Sequence, residues 1–318
     1  MNILPEKDIA EIETEEGKKT SPHRARLMLL AKLALTGGML ALVFARIDFA
    51  EMASRLRNLP PVNVLFAFVL LNVAQCLSAL RMRYYFSVAG WRFAWRFTVA
   101  IYYVGALFNL VLPGGISGDG YKAWFLKRNL GVPLGLAVRR MLSERANGLF
   151  FLLLYALILL LLSPLSDNLP GGKTLLALGI PGLVACYLVS IRLVMKELPR
   201  TALGASRFSA ASQLLIALSA LPVFLGMGAD TGQISDYVAL FLISSVITIL
   251  PISVGGAGVR EMTFLYGGSL LHLDVELGIA ASLAFFAMQA ATSLVGFVFL
   301  KRLNALAAEQ RTLLEKTP

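Results

Sequence analysis

The chain has 318 residues, 57% hydrophobic and 15% charged, against roughly 45–50% and 25% in soluble domains. That balance excludes an ordinary soluble enzyme and points to an all-α polytopic membrane protein, because open strand edges cannot face lipid. The formal net charge of +10 does not mark a nucleic-acid binder, since most Lys and Arg flank apolar runs instead of covering a soluble face.

Residues 1–26 form a polar tail that mixes Glu6, Asp8, Glu11, Glu13, Glu15 and Glu16 with Lys18, Lys19, Arg24 and Arg26. A cleaved signal peptide has a basic start and a shorter apolar core, so the run from Leu27 reads as a retained first span. A membrane domain is expected over 27–303, followed by a tail over 304–318. Within it, eight stretches reach or approach the roughly 20 apolar residues a span needs: 27–46, 62–80, 97–112, 146–163, 173–191, 212–228, 237–252 and 280–300. Two further segments suit the membrane surface. In 48–59, Phe49, Met52, Leu56 and Leu59 recur at helical spacing around Arg55 and Arg57. In 121–129, Tyr121, Trp124 and Phe125 mix with Lys122, Lys127 and Arg128, a headgroup-level composition.

The third run ends in Val111-Leu-Pro-Gly-Gly-Ile-Ser-Gly-Asp-Gly-Tyr-Lys122, and the seventh in Ile249-Leu-Pro-Ile-Ser-Val-Gly-Gly-Ala-Gly-Val-Arg-Glu261. Pro113 and Pro251 lie 138 residues apart. Two related breaks predict a transporter of two halves, with two broken or re-entrant half-helices and an inverted repeat. Basic flanks such as Arg81, Arg83, Arg92, Arg96, Arg192, Lys196, Arg200, Arg207, Lys301 and Arg302 are expected in the cytoplasm with both termini, whereas loops 163–172 and 228–236 carry no Lys or Arg. The breaks then fall on opposite faces of an inner membrane, and 121–145 and 260–278 must re-enter it. The rival arrangement, eight plain spans with both breaks outside, exposes the basic 192–207 loop.

Glycines at Gly114, Gly115, Gly118 and Gly120, and at Gly255, Gly256 and Gly258, let a helix unwind. They serve either as connecting turns or as anion sites, in which free N–H groups and a helix N-terminus face a cavity. Lys122 with Asp119, and Arg260 with Glu261, sit beside them. Charge inside a membrane is costly, so the run Arg139, Arg140, Ser143, Glu144, Arg145 leading into apolar 149–162 is also a candidate. Arg140 and Glu144 are four apart and can pair on one face. Lys32, Asn72, Gln75, Ser244, Ser245, Thr248, Gln289, Thr292 and Ser293 read as groups joining helices by hydrogen bonds more than as the lining of a path.

Enzyme templates fail. Gly118-Asp-Gly-Tyr-Lys-Ala123 fits a loose dinucleotide pattern but follows a membrane run, not a strand. There is no phosphate loop of the ATPase kind, no nucleophile elbow and no zinc helix. Cys76 and Cys186 read as packing residues inside spans, and His23 and His272 stand apart, so neither metal nor cofactor is expected.

Together the two breaks, Ser143-Glu144-Arg145, and Pro251, Gly255-Gly256 and Gly258-Val259-Arg260-Glu261 resemble the flippase-like membrane region of lysylphosphatidylglycerol synthases, over residues 25–303. The first break departs from the family, which often has an Arg before its Gly-Asp step and another after it, where this chain has residues 115–117 and Lys122. The resemblance implies a region that moves aminoacylated lipid between leaflets, beside a separate soluble domain that makes it. With about 15 residues beyond Lys301, synthesis by the same polypeptide is not expected.

The expected function is non-catalytic transport of an anionic or zwitterionic lipid headgroup, of phospholipid or polyprenyl-phosphate type. Arg260, Arg139, Arg140, Arg145 and Lys122 would hold the phosphate, Glu144 and Glu261 would gate or pair with them, and homo-oligomers or a lipid-export partner are further options. Two other classes stay open: a membrane transferase using Asp119 or Glu261 as base, and a structural subunit of an export assembly.

Overall fold

The computed structural model describes residues 22–111, 117–163, 172–193, 199–249, 256 and 258–315. Within them the chain forms twelve α-helices and no strand. They are α1 (Pro22–Phe44), α2 (Phe49–Asn58), α3 (Pro61–Val88), α4 (Trp95–Val111), α5 (Ser117–Leu130) and α6 (Leu134–Leu162), then α7 (Gly172–Leu193), α8 (Pro199–Gly226), α9 (Ile234–Ile247), α10 (Val259–Leu270), α11 (Val275–Leu294) and α12 (Gly296–Glu315). Five spans are long and apolar enough to cross a membrane, with α11 and α12 counted together, or six if the pair bent by 94° between α1 and α2 is one span. The sequence offers eight apolar runs, and the structure corrects that count. At 17 and 14 residues, α4 and α9 rise only about 26 Å and 21 Å at 1.5 Å per residue, short of a hydrocarbon core of about 30 Å.

The two halves are built to one plan. Helices α3 and α8, each of 28 residues, open on Pro61 and Pro199, where the missing N–H of the first turn has no helical partner to lose. They close on Gly90 and Gly228, with φ of 88° and 87°. That left-handed turn brings the Trp91 N–H to the Phe86 carbonyl at 2.9 Å and the Ala229 N–H to the Phe224 carbonyl at 3.0 Å. Both pairs are 138 residues apart, like Pro113 and Pro251. Each long helix leads to a shorter apolar one, then to a break, a half-helix and another long helix.

Packing follows the same plan. Helices α3 and α8 run antiparallel in close contact: a Cβ on Gly204 would lie 1.9 Å from the Tyr84 hydroxyl, and one on Gly226 would lie 2.4 Å from Asn63 Nδ2. Helix α6 packs on α9, and α11 reciprocally on α4. Helices α4 and α5 form a hairpin, with Phe97 against Phe125 near its open end and Phe108 stacked on Tyr121 at 4.0 Å near its tip. Helices α9 and α10 form a second hairpin, in which Asp274 N donates to the Tyr237 hydroxyl at 2.8 Å near the open end. The first hairpin opens where α3 ends and the second where α8 ends, so they enter the bundle from opposite ends.

Each half has its own core. One gathers Phe86, Phe93, Phe97, Ile101 and Leu126 around the first hairpin; the other gathers Phe224, Tyr237, Phe241, Phe264 and Phe285 around the second. Two peripheral segments behave distinctively. Helix α2 lies where a surface helix is expected: Asp48 caps it, Met52 is buried, and Arg55 reaches Glu51 at 2.8 Å, Asp274 at 2.5 Å and the Met227 carbonyl at 3.1 Å. Residues 304–315, expected as a tail, continue α12, because Leu303, Ala307 and Gln310 share one face and are buried. Gln310 accepts from Ala94 N at 2.6 Å and donates to the Arg92 carbonyl at 3.0 Å.

The hairpin tip sets a steric test. A Cβ on Gly118 would lie 1.9 Å from the Gly105 carbonyl oxygen. Gly118→Ala should lose about 1–3 kcal/mol of stability, read as a lower Tm in detergent, whereas Gly182→Ala, with open space around it, should be close to neutral.

Candidate functional site

Between the two cores lies a cavity of about 370 Å³, within the range of about 300–1,000 Å³ typical of small-ligand sites. Its walls come from both halves: Asp119 and Lys122 from the tip of the first hairpin, Gly256 and Arg260 from the tip of the second, Glu144 and Arg145 from α6 and Arg81 from α3. The breaks were expected on opposite faces. Their described flanks, Asp119 and Lys122 after the first and Gly256 and Arg260 at the second, line this one cavity.

Local sequence explains how each tip is held. The first turn of α5 leaves amide groups without helical partners, and the Asn109 side chain of α4 accepts from Gly118 N at 2.8 Å. Gly105 leaves room for the Lys122 stem, which would lie 3.0 Å from a Cβ there. Lys122 is therefore buried, 4% exposed, although its segment reads as interfacial in sequence. Its ammonium sits 2.7 Å from Asp119 and 4.6 Å from the centre of the Tyr102 ring. Asp119 also pairs with Arg145 of α6. One carboxylate thus serves two cations from two helices.

The second tip is arranged differently. Gly256 and Gly258 have φ of 84° and 83°, a left-handed geometry that suits glycine. Glu261, 1% exposed, turns back to accept from Gly258 N at 2.7 Å and from the Ser282 hydroxyl at 2.6 Å. Its carboxylate fills the N-terminus of α10, the place where sequence alone suggests an anionic ligand. Arg260 points the other way, into the cavity, with its guanidinium 5.1 Å from the centre of the Phe241 ring. Among the described residues it makes no ion pair, and its Nε has no hydrogen-bond partner.

Glu144, 5% exposed, accepts from Arg81 at 3.1 Å and from the Tyr102 hydroxyl at 3.0 Å, while Arg81 donates to the Ser209 hydroxyl at 2.9 Å. This network joins α3, α4, α6 and α8. Gly148 makes space for it, since a Cβ there would lie 3.2 Å from Arg81. Arg81 looks like a cytoplasmic flank in sequence and is the main residue missed. Its signal is faint: Gln75, Ser78 and Arg81 recur every three residues along α3 and all reach the cavity.

The remaining candidates divide. Arg139 is exposed and Arg140 half-buried, and neither lines the cavity. Pro113, Gly114, Gly115, Pro251 and Gly255 lie outside the described residues, as does the side chain of Lys32; Gly120, one turn into α5, meets nothing within 4 Å. Asn72 joins helices as expected, bonding Thr292 at 3.2 Å and accepting from Tyr103 at 3.0 Å. Gln75, Ser245, Thr248, Gln289 and Ser293, read as interhelical groups, line the cavity, and Thr292 does both. Cys76 is half-buried and Cys186 exposed, both as free thiols. Among the described residues, no three His, Cys, Asp or Glu side chains gather as a metal site would require.

Breaking a buried pair strands its partner's charge at about 3–5 kcal/mol. Arg81→Met should therefore lower thermal stability strongly, and adding Glu144→Gln should restore part of the loss. Arg139→Gln should change it little.

Residues 29–202 match the family described as Lysylphosphatidylglycerol synthase TM region. The match covers the first hairpin and ends early in α8, so the Arg260 tract lies beyond it. No curated protein matches the chain.

Proposed function

Because this chain belongs to the lysylphosphatidylglycerol synthase TM region family and is a multi-pass helical membrane protein, we propose that it moves a lipid headgroup between leaflets through the central cavity. The observation that carries this reading is the charged cavity walled by both hairpin tips. A headgroup inside it would exchange water for fixed charges while the acyl chains stay in lipid. Exposed apolar residues such as Leu175, Leu178, Leu203 and Leu270, 65–75% exposed, suit an outer surface in contact with those chains.

In this reading the two hairpins are re-entrant segments that enter from opposite sides, as an inverted repeat would place them. Buried between longer helices, they satisfy the condition under which broken helices are tolerated at membrane depth. Arg83, Arg92, Arg96, Arg200, Arg207 and Arg311 belong to the end of the bundle where α3 stops and α8 starts, while Glu51, Asp230, Asp236, Asp274 and Glu276 belong to the other. The positive-inside rule then puts the basic end and both termini in the cytoplasm of an inner membrane.

Transport without chemistry is the simpler role. Asp119 is committed to Lys122 and Arg145, and Glu261 to Gly258 and Ser282, so both candidate bases are occupied. The partner is a membrane lipid; homo-oligomers or an export partner would add to this and are not required by it.

Reconstitution in vesicles with tail-labelled phospholipids and polyprenyl phosphates tests the proposal through the rate of leaflet exchange. Arg260→Gln should slow exchange by roughly tenfold to a hundredfold, as expected for losing a charge-assisted contact worth about 1.5–3 kcal/mol. Arg139→Gln should leave the rate unchanged. Exchange no faster than in protein-free vesicles for every lipid would refute transport, and a chemically altered lipid recovered from them would favour a transferase.

A further inference from the structure

The charges around the cavity are largely engaged within the protein. Glu144 pairs with Arg81, Asp119 pairs with Lys122 and Arg145, and Arg260 borders a small adjoining void together with Glu261. Charge can seat a phosphate there, but it says little about the rest of a headgroup. That information lies in the uncharged lining. Three glutamines of the described walls face the cavity, Gln75 from α3, Gln213 from α8 and Gln289 from α11. Gln75 and Gln213 are 138 residues apart, the repeat spacing, as are Lys122 and Arg260, so each half contributes one amide and one cation from equivalent positions.

On the same walls, the hydroxyls of Ser245, Thr248 and Ser293 are spent on backbone carbonyls three or four residues back, at 2.8–2.9 Å. The glutamine amides are not. Among the described residues none of the three side chains makes a hydrogen bond, and the Oε1 of Gln213, a residue 7% exposed, is buried without a partner. Gln289 sits on the face of α11 that buries Phe285, Thr292 and Ser293, opposite the exposed Ala287, Ala291 and Leu294, yet it is itself exposed. Its exposure is to the cavity. An amide offers a carbonyl acceptor and two N–H donors, and a buried one left unanswered is costly. Ionised phosphate oxygens accept but do not donate, a primary ammonium donates but does not accept, and a quaternary ammonium does neither. A hydroxyl does both. A site built to hydrogen-bond hydroxyls rejects analogues that lack them, because its own polar groups are then left unpaired.

We propose that Gln75, Gln213 and Gln289 read hydroxyls on the cargo headgroup, so that the preferred cargo is a phosphodiester whose second substituent is a polyol or a sugar. The cavity, at about 370 Å³, falls in the range that holds a whole small ligand and not only a phosphate. This rests on the transport reading above and narrows its substrate.

The test uses full-length protein in phosphatidylcholine vesicles with tail-labelled probes in charge-matched pairs. One pair is phosphatidylinositol and phosphatidylmethanol; the other is polyprenyl phosphoglucose and polyprenyl methyl phosphate. All four are monoanionic diesters, and only the first of each pair carries hydroxyls. Binding of the same probes to detergent-purified protein, by native mass spectrometry, is measured in parallel. Wild type should exchange and bind the hydroxylated member roughly tenfold better in at least one pair, a ratio equivalent to about 1.4 kcal/mol, and the pair with the larger ratio identifies the carrier chain. Gln75→Leu and Gln289→Leu should each bring that ratio toward one, while Gln75→Asn, which keeps an amide, should retain part of it. Because the ratio is taken within one variant, it does not depend on how much protein reconstitutes. Gln289→Ala replaces Gln289→Leu if the latter fails to elute as a single species. A wild-type ratio near one in both pairs, or a ratio unchanged in both leucine variants, overturns the proposal. A hydroxyl preference in binding without leaflet exchange upholds the amide reading and refutes transport instead.

Discussion

The shared carboxylate of Asp119 is the contact on which the centre of this molecule depends. It holds Lys122 of its own helix and Arg145 of the next, and so fixes the tip of the first hairpin against α6. Without it, the buried Lys122 and the half-buried Arg145 would face each other beside an apolar interior, where like charges repel strongly. One residue from Arg145, Glu144 repeats the logic on another face of α6, with Arg81 and Tyr102. These two pairings join α3, α4, α5 and α6 around one cavity wall.

The opposite wall has no such clamp. The second tip carries Arg260 with no ion pair among the described residues, while Glu261 stabilises the backbone behind it. The plan shared by both halves, visible in matched prolines and glycines, thus differs between them in its electrostatics. One tip is tied down and partly neutralised. The other offers a charge to whatever enters. Such asymmetry suits a site that must bind and release, since a cavity with every charge answered internally would have little differential affinity for a charged ligand.

Much of the plan was legible in the sequence. The membrane class follows from composition, and the two halves from a spacing of 138 residues between Leu-Pro steps, which the ends of α3 and α8 share. Asp119, Lys122, Arg145 and Arg260 were candidates because ions are rare in apolar surroundings. The number of spans was not legible, since a run of apolar residues has the same look whether it crosses a membrane or turns back at a break. Arg81 was hidden for a related reason: near a helix end, a basic residue is ordinarily a flank, and only the packing of α8 and α6 around it turns it inward. Ser245, Thr248 and Gln289 were ambiguous because a polar side chain in a span can bond a neighbouring helix or face a cavity, and local spacing is the same in both.

By itself, then, the sequence determined what is local: which segments are helical, where proline and glycine interrupt them, and which charges lie within a few residues of each break. The tertiary structure decided which of those charges meet. Asp119 and Arg145 are 26 residues apart, Arg81 and Glu144 are 63 apart, and Lys122 and Arg260 belong to different halves. Pairing at such distances is set by which helix faces pack together, and in largely apolar helices no stripe in the sequence marks that face.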